Sequence, residues 1–140
     1  MIRAIQHNCA RSNAWNIAEL ETVVDRKADL VPLQEPIREL WRIGISHLAY
    51  DNRTQTRIWN VVRQGNGLAT DQRTELSRGA NDDVMVTDVK GRTEKMTRII
   101  NICYRRDILT GESRVRNLNW HRAIRQEGCT IIVGNINAHS

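Results

Sequence analysis

The sequence lacks the segments that carry a protein into or across a membrane. Its longest apolar run is about four residues, whereas a membrane-spanning helix needs about 20. Residues 1–15 contain no uninterrupted apolar stretch of the kind found in secretory signals. We therefore expect a protein that is neither embedded in a membrane nor secreted.

Cysteine is also scarce, and its spacing is not that of a disulfide scaffold or a zinc module. The three cysteines, Cys9, Cys103 and Cys129, are odd in number and form no CxxC pair. Each lies in or beside an apolar run typical of a strand, where a thiol usually serves as a small buried hydrophobe. This use of cysteine indicates a reducing compartment, either nuclear or cytoplasmic.

Phenylalanine is absent, so the large aromatic side chains of a core must come from other residues. The tryptophans are the natural source, although the flat face of an indole can also stack on a nucleic-acid base. We favour the core for these residues and keep base stacking as the alternative; they are Trp15, Trp41, Trp59 and Trp120.

What is present is a chain of 140 residues with a net charge of +5, long enough to form one domain with its own core. The basic excess is local, since residues 98–125 contain seven arginines against Asp107 and Glu112. The planar guanidinium group suits bidentate contacts with phosphate, and a basic patch attracts polyanions. The stretch favours a polynucleotide partner, and a solvated basic face is the alternative.

Hydrophobic periodicity predicts an α/β protein with a mixed sheet. A helix over 14–27 has one apolar face, and a second helix is expected over 113–126. Alternating or continuous apolar positions predict strands over 2–8, 29–35, 58–63, 83–89, 97–104 and 130–133.

Polar residues fall at the ends of four predicted strands, where sheets commonly present functional side chains. They are Gln-His-Asn at 6–8, Gln-Glu-Pro at 34–36, Asn-Ile-Asn-Ala-His at 135–139, and Tyr104. Taken singly, each has an ordinary structural explanation. An Asn at a strand end is typical of a turn, a Glu of a surface, and a Tyr of a half-buried packing group.

Taken together, these segments resemble the endonuclease/exonuclease/phosphatase superfamily, which has the DNase-I-like fold. Within it the sequence looks most like the N-terminal part of the endonuclease domains of non-LTR retrotransposons, especially fungal ones. The resemblance rests on four short segments whose order and spacing fit along the whole chain: IQHNCARS (5–12), DLVPLQEP (29–36), INICY (100–104) and GNINAH (134–139).

The resemblance implies an α/β (α+β) sandwich of which residues 1–140 form only the N-terminal half, with a mixed sheet and helices on one face. It also implies a DNA endonuclease that depends on Mg²⁺ or Mn²⁺. Glu35 and Asn8 are then the candidate metal ligands, and Tyr104 is expected to contact the scissile phosphate. Asn137 matches a residue that donates to that phosphate, and Asn135 stands where the family has an aspartate that positions the attacking water.

The sequence departs from the family pattern in two ways. Asn135 is an amide, which can neither accept a proton nor carry the negative charge that orients a water. The family's second half, with a further Asp and a His–Asp pair, has no counterpart in this chain, and His139 does not match that histidine. We therefore expect an impaired domain that binds Mg²⁺ weakly, and we expect the second sheet that would cover the first to be missing.

An apolar sheet face left open in this way would recruit a partner, either a second copy in a homodimer or the missing C-terminal half. Two other functions remain open from the residues alone. One is a non-catalytic remnant that binds nucleic acid or a protein, and the other is a phosphatase that acts on a small phosphoester or a lipid headgroup.

Overall fold

A computed structural model describes the protein over residues 3–8, 28–34, 50–54, 58–63, 67–80, 83–91, 95–104, 111, 114–124 and 128–135. The side chains of 7–8, 50–54, 114 and 135 are outside this description, so these residues are placed by their backbone alone.

The first sheet has four strands in the order β1-β2-β4-β3. They are β1 (His7–Asn8), β2 (Leu30–Gln34), β3 (Tyr50–Thr54) and β4 (Ile58–Arg63). Strands β1 and β2 are parallel, whereas β4 pairs antiparallel with both β2 and β3. A bridge between Ala4 and Leu30 extends the contact between β1 and β2. The segments LVPLQ and IWNVVR are mostly apolar and almost completely buried, as expected for central strands.

The second sheet has four strands in the order β5-β6-β7-β8. They are β5 (Ala69–Gln72), β6 (Val84–Lys90), β7 (Thr97–Cys103) and β8 (Cys129–Asn135). Strand β6 pairs antiparallel with β5 and β7, and β8 is parallel to β7. Because β8 is parallel to β7, the chain must cross over between them, and short helical turns lie in that connection.

The two sheets pack against each other through apolar side chains. Near one end of the interface, a buried cluster joins Leu30 and Val62 of the first sheet to Val89 and Ile99 of the second. Near the other end, Ile58 packs with Met85 and Cys103. The result is a sandwich whose core lies between β2–β4 and β6–β7.

A layer of short helical segments covers the opposite face of the second sheet. It consists of two 3₁₀ turns, Thr74–Leu76 and Arg114–Asn117, and one α-helical turn, α1 (Trp120–Ala123). Its buried residues pack on the outward-facing side chains of β6 and β7; the cluster is Leu76, Ala80, Val84, Val86, Ile100, Ile102, Val115, Leu118 and Ala123. The second sheet is therefore buried on both faces along β6 and β7.

The structure confirms the predicted α/β sandwich and most of its predicted strands. The predictions over 29–35, 58–63, 83–89, 97–104 and 130–133 correspond to β2, β4, β6, β7 and β8. Of the prediction over 2–8, only 7–8 are paired as a strand, with the bridge at Ala4. The predicted helix over 14–27 lies outside the described residues.

The predicted helix over 113–126 is wrong over its described part. The segment instead forms a 3₁₀ turn at Arg114–Asn117 and a separate turn at Trp120–Ala123. The side chain of Asn119 accepts a hydrogen bond from the backbone N–H of Arg122 at 3.2 Å, which starts the second turn anew. Ile124 is then extended (φ −75°, ψ 128°), which ends it.

The expectation that the second sheet is missing is also wrong. Strands β5 to β8 all come from this chain, and they cover the inner face of β2 and β4. Alternation along a strand shows which residues share a face, but it does not show to which of two sheets the strand belongs. The argument that an uncovered face between the sheets recruits a partner therefore does not hold for this interface.

Candidate active site

Four strands end at the same edge of the sandwich. Within the first sheet, Asn8 at the end of β1 lies opposite Gln34 at the end of β2. Within the second sheet, Cys103 at the end of β7 lies opposite Asn135 at the end of β8. The two parallel pairs also run in the same direction, because the start of β2 packs on the start of β7 while Gln34 bonds to the side chain of Asn101 near the end of β7.

This arrangement brings several of the predicted site positions together. Asn8 and Asn135 are the last residues of β1 and β8, and Tyr104 directly follows β7. Glu35 follows Gln34 in the sequence, but Glu35 and Asn137 lie outside the described residues. The ring of Tyr104 is half-buried and packs on the apolar cluster beneath the helical layer.

Glycine is required at the position before Asn135. Gly134 has φ +143°, and a Cβ built there would lie 2.0 Å from the backbone oxygen of Ile102 in β7. Any side chain would therefore push β8 away from β7 or break their pairing. The tight approach explains why the segment at 134–137 begins with glycine, and it fixes Asn135 beside the end of β7.

A chain of side-chain hydrogen bonds crosses the sandwich just beneath this edge. Gln6 Nε2 donates to Gln34 Oε1 at 2.6 Å, and Gln34 Nε2 donates to Asn101 Oδ1. Asn101 Nδ2 donates to Asn60 Oδ1 at 2.9 Å, and Asn60 Nδ2 donates to Thr87 Oγ1 at 2.7 Å. We call these five residues the amide chain. All of them except Gln6 are completely buried.

Most of the amide chain was missed by the sequence reasoning. Gln6 and Gln34 belong to polar clusters noted at strand ends, but Asn60, Thr87 and Asn101 were not singled out. The available signal was a polar residue at the centre of an otherwise apolar strand, as in IWNVVR, VMVTDV and RIINIC. Buried polar side chains of this kind need partners inside the protein, and here they supply one another.

A second buried polar cluster lies on the opposite face of the second sheet and is charged. Arg98 donates to Asp88 twice, from Nε to Oδ1 at 2.8 Å and from Nη2 to Oδ2 at 3.0 Å, and its Nη1 donates to the backbone oxygen of Ala123 at 2.9 Å. Arg73 Nη1 also donates to Asp88 Oδ2 at 2.8 Å, and Arg73 Nε donates to Glu75 Oε1 at 2.5 Å. We call these residues the ion cluster.

Hydrogen bonds within the ion cluster shift the pKa of Asp88, Glu75 and Arg73. Burial favours the neutral form of Asp88, but the hydrogen bonds from Arg98 and Arg73 outweigh it and lower the pKa of that carboxyl. The hydrogen bond from Arg73 lowers the pKa of Glu75, and the bonds to Glu75 and Asp88 raise the pKa of Arg73. The cluster is therefore a permanently charged structural element at neutral pH.

This cluster corrects the interpretation of the arginine-rich stretch. Arg98 is 6% exposed and its guanidinium is committed to Asp88, so it is not a phosphate contact. Arg116 and Arg122 are exposed, whereas Arg105, Arg106 and Arg125 lie outside the described residues. The stretch is thus divided between a core ion pair and a basic surface.

Tryptophan and cysteine follow the sequence expectations only in part. Trp59 is buried in the first sheet and Trp120 packs on the helical layer's cluster, which confirms the core interpretation for both. Cys103 is buried as expected, whereas Cys129 at the start of β8 is exposed, contrary to expectation. The remaining members of both sets, Trp15, Trp41 and Cys9, lie outside the described residues.

The residue types predicted as metal ligands at the strand ends are ones that suit a hard divalent cation. Amide and carboxylate oxygens are what Mg²⁺ and Mn²⁺ prefer, and the expected set of Asn8 and Glu35 supplies only such oxygens. Over the part of the chain that the structure describes, no three His, Cys, Asp or Glu side chains gather into a metal-binding group. In the same part, no helix is long and apolar enough to cross a membrane.

Solved structures with the same arrangement identify the fold. The endonuclease domain of TRAS1, a telomere-specific non-LTR retrotransposon, superposes on 99% of this chain with a TM-score of 0.70 and 17% sequence identity. The chain has the DNase-I-like fold. The resemblance seen in the sequence is thereby confirmed at the level of the fold, although no family model and no curated protein matches the chain.

A second DNase-I-like structure supports the same conclusion. Humanized D. rerio TDP2 with 14 mutations superposes on 95% of this chain with a TM-score of 0.58 and 10% identity. The chain spans 62% of the length of the TRAS1 domain and 60% of the length of the TDP2 chain. Both DNase-I-like structures therefore contain a further part with no counterpart in these 140 residues.

Proposed function

We propose that this chain is the N-terminal part of a DNA endonuclease domain of the retrotransposon type, dependent on Mg²⁺ or Mn²⁺ and impaired by Asn135. One observation supports the proposal. The ends of β1, β2, β7 and β8 meet at one edge of a DNase-I-like sandwich, and in the sequence Asn8, Glu35, Tyr104 and Asn135 end or directly follow these strands.

In this proposal Glu35 and Asn8 hold the metal ion, which, when bound, polarises the phosphodiester and offsets the charge that develops during its cleavage. The hydroxyl of Tyr104 and the amide of Asn137 donate hydrogen bonds to the phosphate oxygens. Donors aimed at developing negative charge are among the strongest contributors to catalysis. These side chains therefore bind and orient the phosphate.

Asn135 is the weak point of the proposed site. At the end of β8 its amide can donate to an oxygen or accept from a water, but it cannot take a proton from that water or stabilise it by charge. Loss of a catalytic acid or base typically costs about 10²–10⁴-fold in rate. We therefore propose a domain that still holds the phosphate but activates water poorly.

The proposal also assigns residues 1–140 to a longer domain. The fraction of the TRAS1 domain that the chain spans supports this assignment. So does β8, an outer strand of its sheet, on which Ile131 and Ile132 are 40% and 45% exposed. A missing C-terminal half or a second copy of the chain would cover these side chains.

The test is nicking of supercoiled plasmid in the presence of Mg²⁺ by the chain and three variants: Asn135→Asp, Glu35→Ala and the double variant. We expect Asn135→Asp to nick at least about 100-fold faster than the original chain, because it restores the general base. The double variant should be inactive, since it lacks the metal ligand. If Asn135→Asp does not nick, the missing half is decisive, and the chain is a non-catalytic fragment and not an endonuclease disabled at Asn135.

A non-catalytic domain that binds nucleic acid is the second candidate, favoured by Asn135 and by the exposed Arg116 and Arg122. Fluorescence anisotropy with a labelled DNA duplex would detect it. Binding that weakens linearly with the logarithm of salt concentration, with a slope reduced by about 1 for each arginine changed to alanine, would support a phosphate-binding surface.

A further inference from the structure

We propose that Gln34 and Asn101 are positioning residues, whose side-chain hydrogen bond sets the end of β2 against the end of β7, the two strand ends that directly precede Glu35 and Tyr104 in the sequence. The inference rests on the proposed function for its catalytic consequence. It is nevertheless a statement about two strand ends, and it can be tested without any DNA.

The location of the bond is the first argument. Gln34 is the last residue of β2, lies opposite Asn8 and directly precedes Glu35. Asn101 lies three residues before Tyr104, in the strand that pairs with β8. The hydrogen bond therefore links the two sheets within a few residues of every position proposed to contact metal or phosphate.

The direction of the bonds is the second argument. Gln34 accepts from Gln6 and donates to Asn101, and Asn101 accepts from Gln34 and donates to Asn60. Reversing any one amide would face donor against donor or acceptor against acceptor along the whole series. The direction of the series is fixed at Asn101, whose Nδ2 also lies 3.3 Å from the backbone oxygen of Leu33 and 3.4 Å from that of Trp59, where only a donor is acceptable. The arrangement is therefore specific as well as stable.

The third argument is that, apart from the bonds within the amide chain, the contacts that the structure describes between the sheets around this bond are either non-directional or long. Around this bond the sheets are also held by the apolar contacts of Ile58, Met85 and Cys103. Outside the amide chain, Asn101 Nδ2 adds long hydrogen bonds to the backbone oxygens of Leu33 (3.3 Å) and Trp59 (3.4 Å). Apolar contacts are non-directional, so a two-residue slip of one strand would keep the apolar face inside and cost little specificity. The same slip would break the bond between the two amides and leave the Gln34 Nε2 donor buried without its partner, which is a large penalty. The amides therefore fix the position of the end of β2 relative to the end of β7, which the apolar contacts alone would not fix.

The experiment compares Gln34→Met with Thr87→Val, a near-isosteric control at the far end of the amide chain. Thr87 is also completely buried, but it lies opposite Ile99, four residues before Cys103. Cys103 is the reporter, because it is buried beside the bond and directly precedes Tyr104. Exposed Cys129 is the internal reference. Trypsin separates the two thiols into peptides 99–105 and 126–140, so alkylation of each is followed by mass spectrometry.

Alkylation is compared at urea concentrations that give all chains the same free energy of unfolding, so that only local opening differs. We expect Cys103 of Gln34→Met to react about tenfold faster than Cys103 of Thr87→Val, with Cys129 unchanged. Equal Cys103 rates in the two variants would overturn the proposal. If Gln34→Met does not fold, Asn101→Leu, which removes the other partner of the same bond, replaces it and is judged by the same comparison.

The catalytic consequence is measured separately, in the Asn135→Asp background. Gln34→Met should lower kcat for nicking by about 10–100-fold with the KM for plasmid unchanged, because misplaced reacting groups slow the chemical step without weakening DNA contacts elsewhere. Thr87→Val should leave both constants unchanged. If Asn135→Asp itself does not nick, the proposed function fails, while the alkylation result still decides whether the bond positions the strand ends.

Discussion

The amide chain and the ion cluster are both buried polar groups, and they lie on opposite faces of the same sheet. Thr87 and Asp88 are neighbours in β6, yet Thr87 belongs to the amide chain between the sheets and Asp88 to the ion cluster under the helical layer. The amide chain is neutral and joins two sheets, whereas the ion cluster is charged and joins strands of one sheet to the helical layer.

The difference teaches what each kind of group is suited for. An ion pair gains strength in a buried site but carries a large desolvation cost, so it tolerates no missing partner. Neutral amides cost less to bury and impose strict directionality, so they suit an interface whose alignment matters. The neutral cluster lies next to the candidate site, and the charged one holds the scaffold behind it.

The largest effect is expected from Arg98→Ala, which breaks the ion cluster. The change leaves the buried Asp88 carboxylate with Arg73 as its remaining partner and should cost about 3–5 kcal/mol of unfolding free energy. Urea denaturation at neutral pH measures it. Arg122→Ala, on the exposed surface, is the control and should change stability by less than about 0.5 kcal/mol. A loss for Arg98→Ala as small as this control would contradict the structural role.

A smaller loss is expected from Asn101→Leu, which interrupts the amide chain at its centre. The amide of Gln34 and the oxygen of Asn60 lose their partners, at a cost of about 2 kcal/mol. The same urea experiment measures it. Thr87→Val removes only a terminal acceptor and should cost about 1 kcal/mol. If the two variants were equally stable, Asn101 would not be the central link.

The smallest expected effect is a difference between the two clusters in how the free energy of unfolding depends on pH. The pKa of Asp88 in the folded protein lies below its ordinary value of 3.8, so the carboxylate stabilises the fold above that pH. This contribution is lost as the pH falls through the folded pKa. When the pH is lowered from 7 to 3, Asp88→Asn should therefore lose less unfolding free energy than the original chain loses. Asn101→Leu should lose as much as the original chain. Parallel pH profiles for Asp88→Asn and the original chain would show that the ion cluster does not titrate in this range.

The sequence predicted the strands well because their residues leave a strong local pattern. The run at 29–35 has a continuous apolar centre, and the run at 97–104 is rich in β-branched residues, so both are typical of buried strands. The two-sheet arrangement escaped prediction because pairing partners are distant in sequence. The helix over 113–126 failed for a local reason, since Asn119 caps a new turn inside an otherwise acceptable helical pattern.

The candidate site was predictable to the extent that it follows the strand ends. Asn8, Tyr104 and Asn135 lie where the predicted strands end, and the parallel pairing brings those ends together. The amide chain was not predictable, because a polar residue such as Asn60 faces inward or outward depending on a strand's position in the sandwich. Arg98 was misjudged for the same reason, since its charge indicates a surface until Asp88 is found beside it.

Gly134 has a consequence for how such a chain can change over generations. Its backbone approaches β7 so closely that even a methyl group has no room, so a substitution there harms folding itself. Its neighbour Asn135 differs from aspartate by one nucleotide in the codon and has nearly the same shape. Under the proposed function, one point mutation at Asn135 would therefore lose or regain the activity of this edge while the architecture is inherited intact.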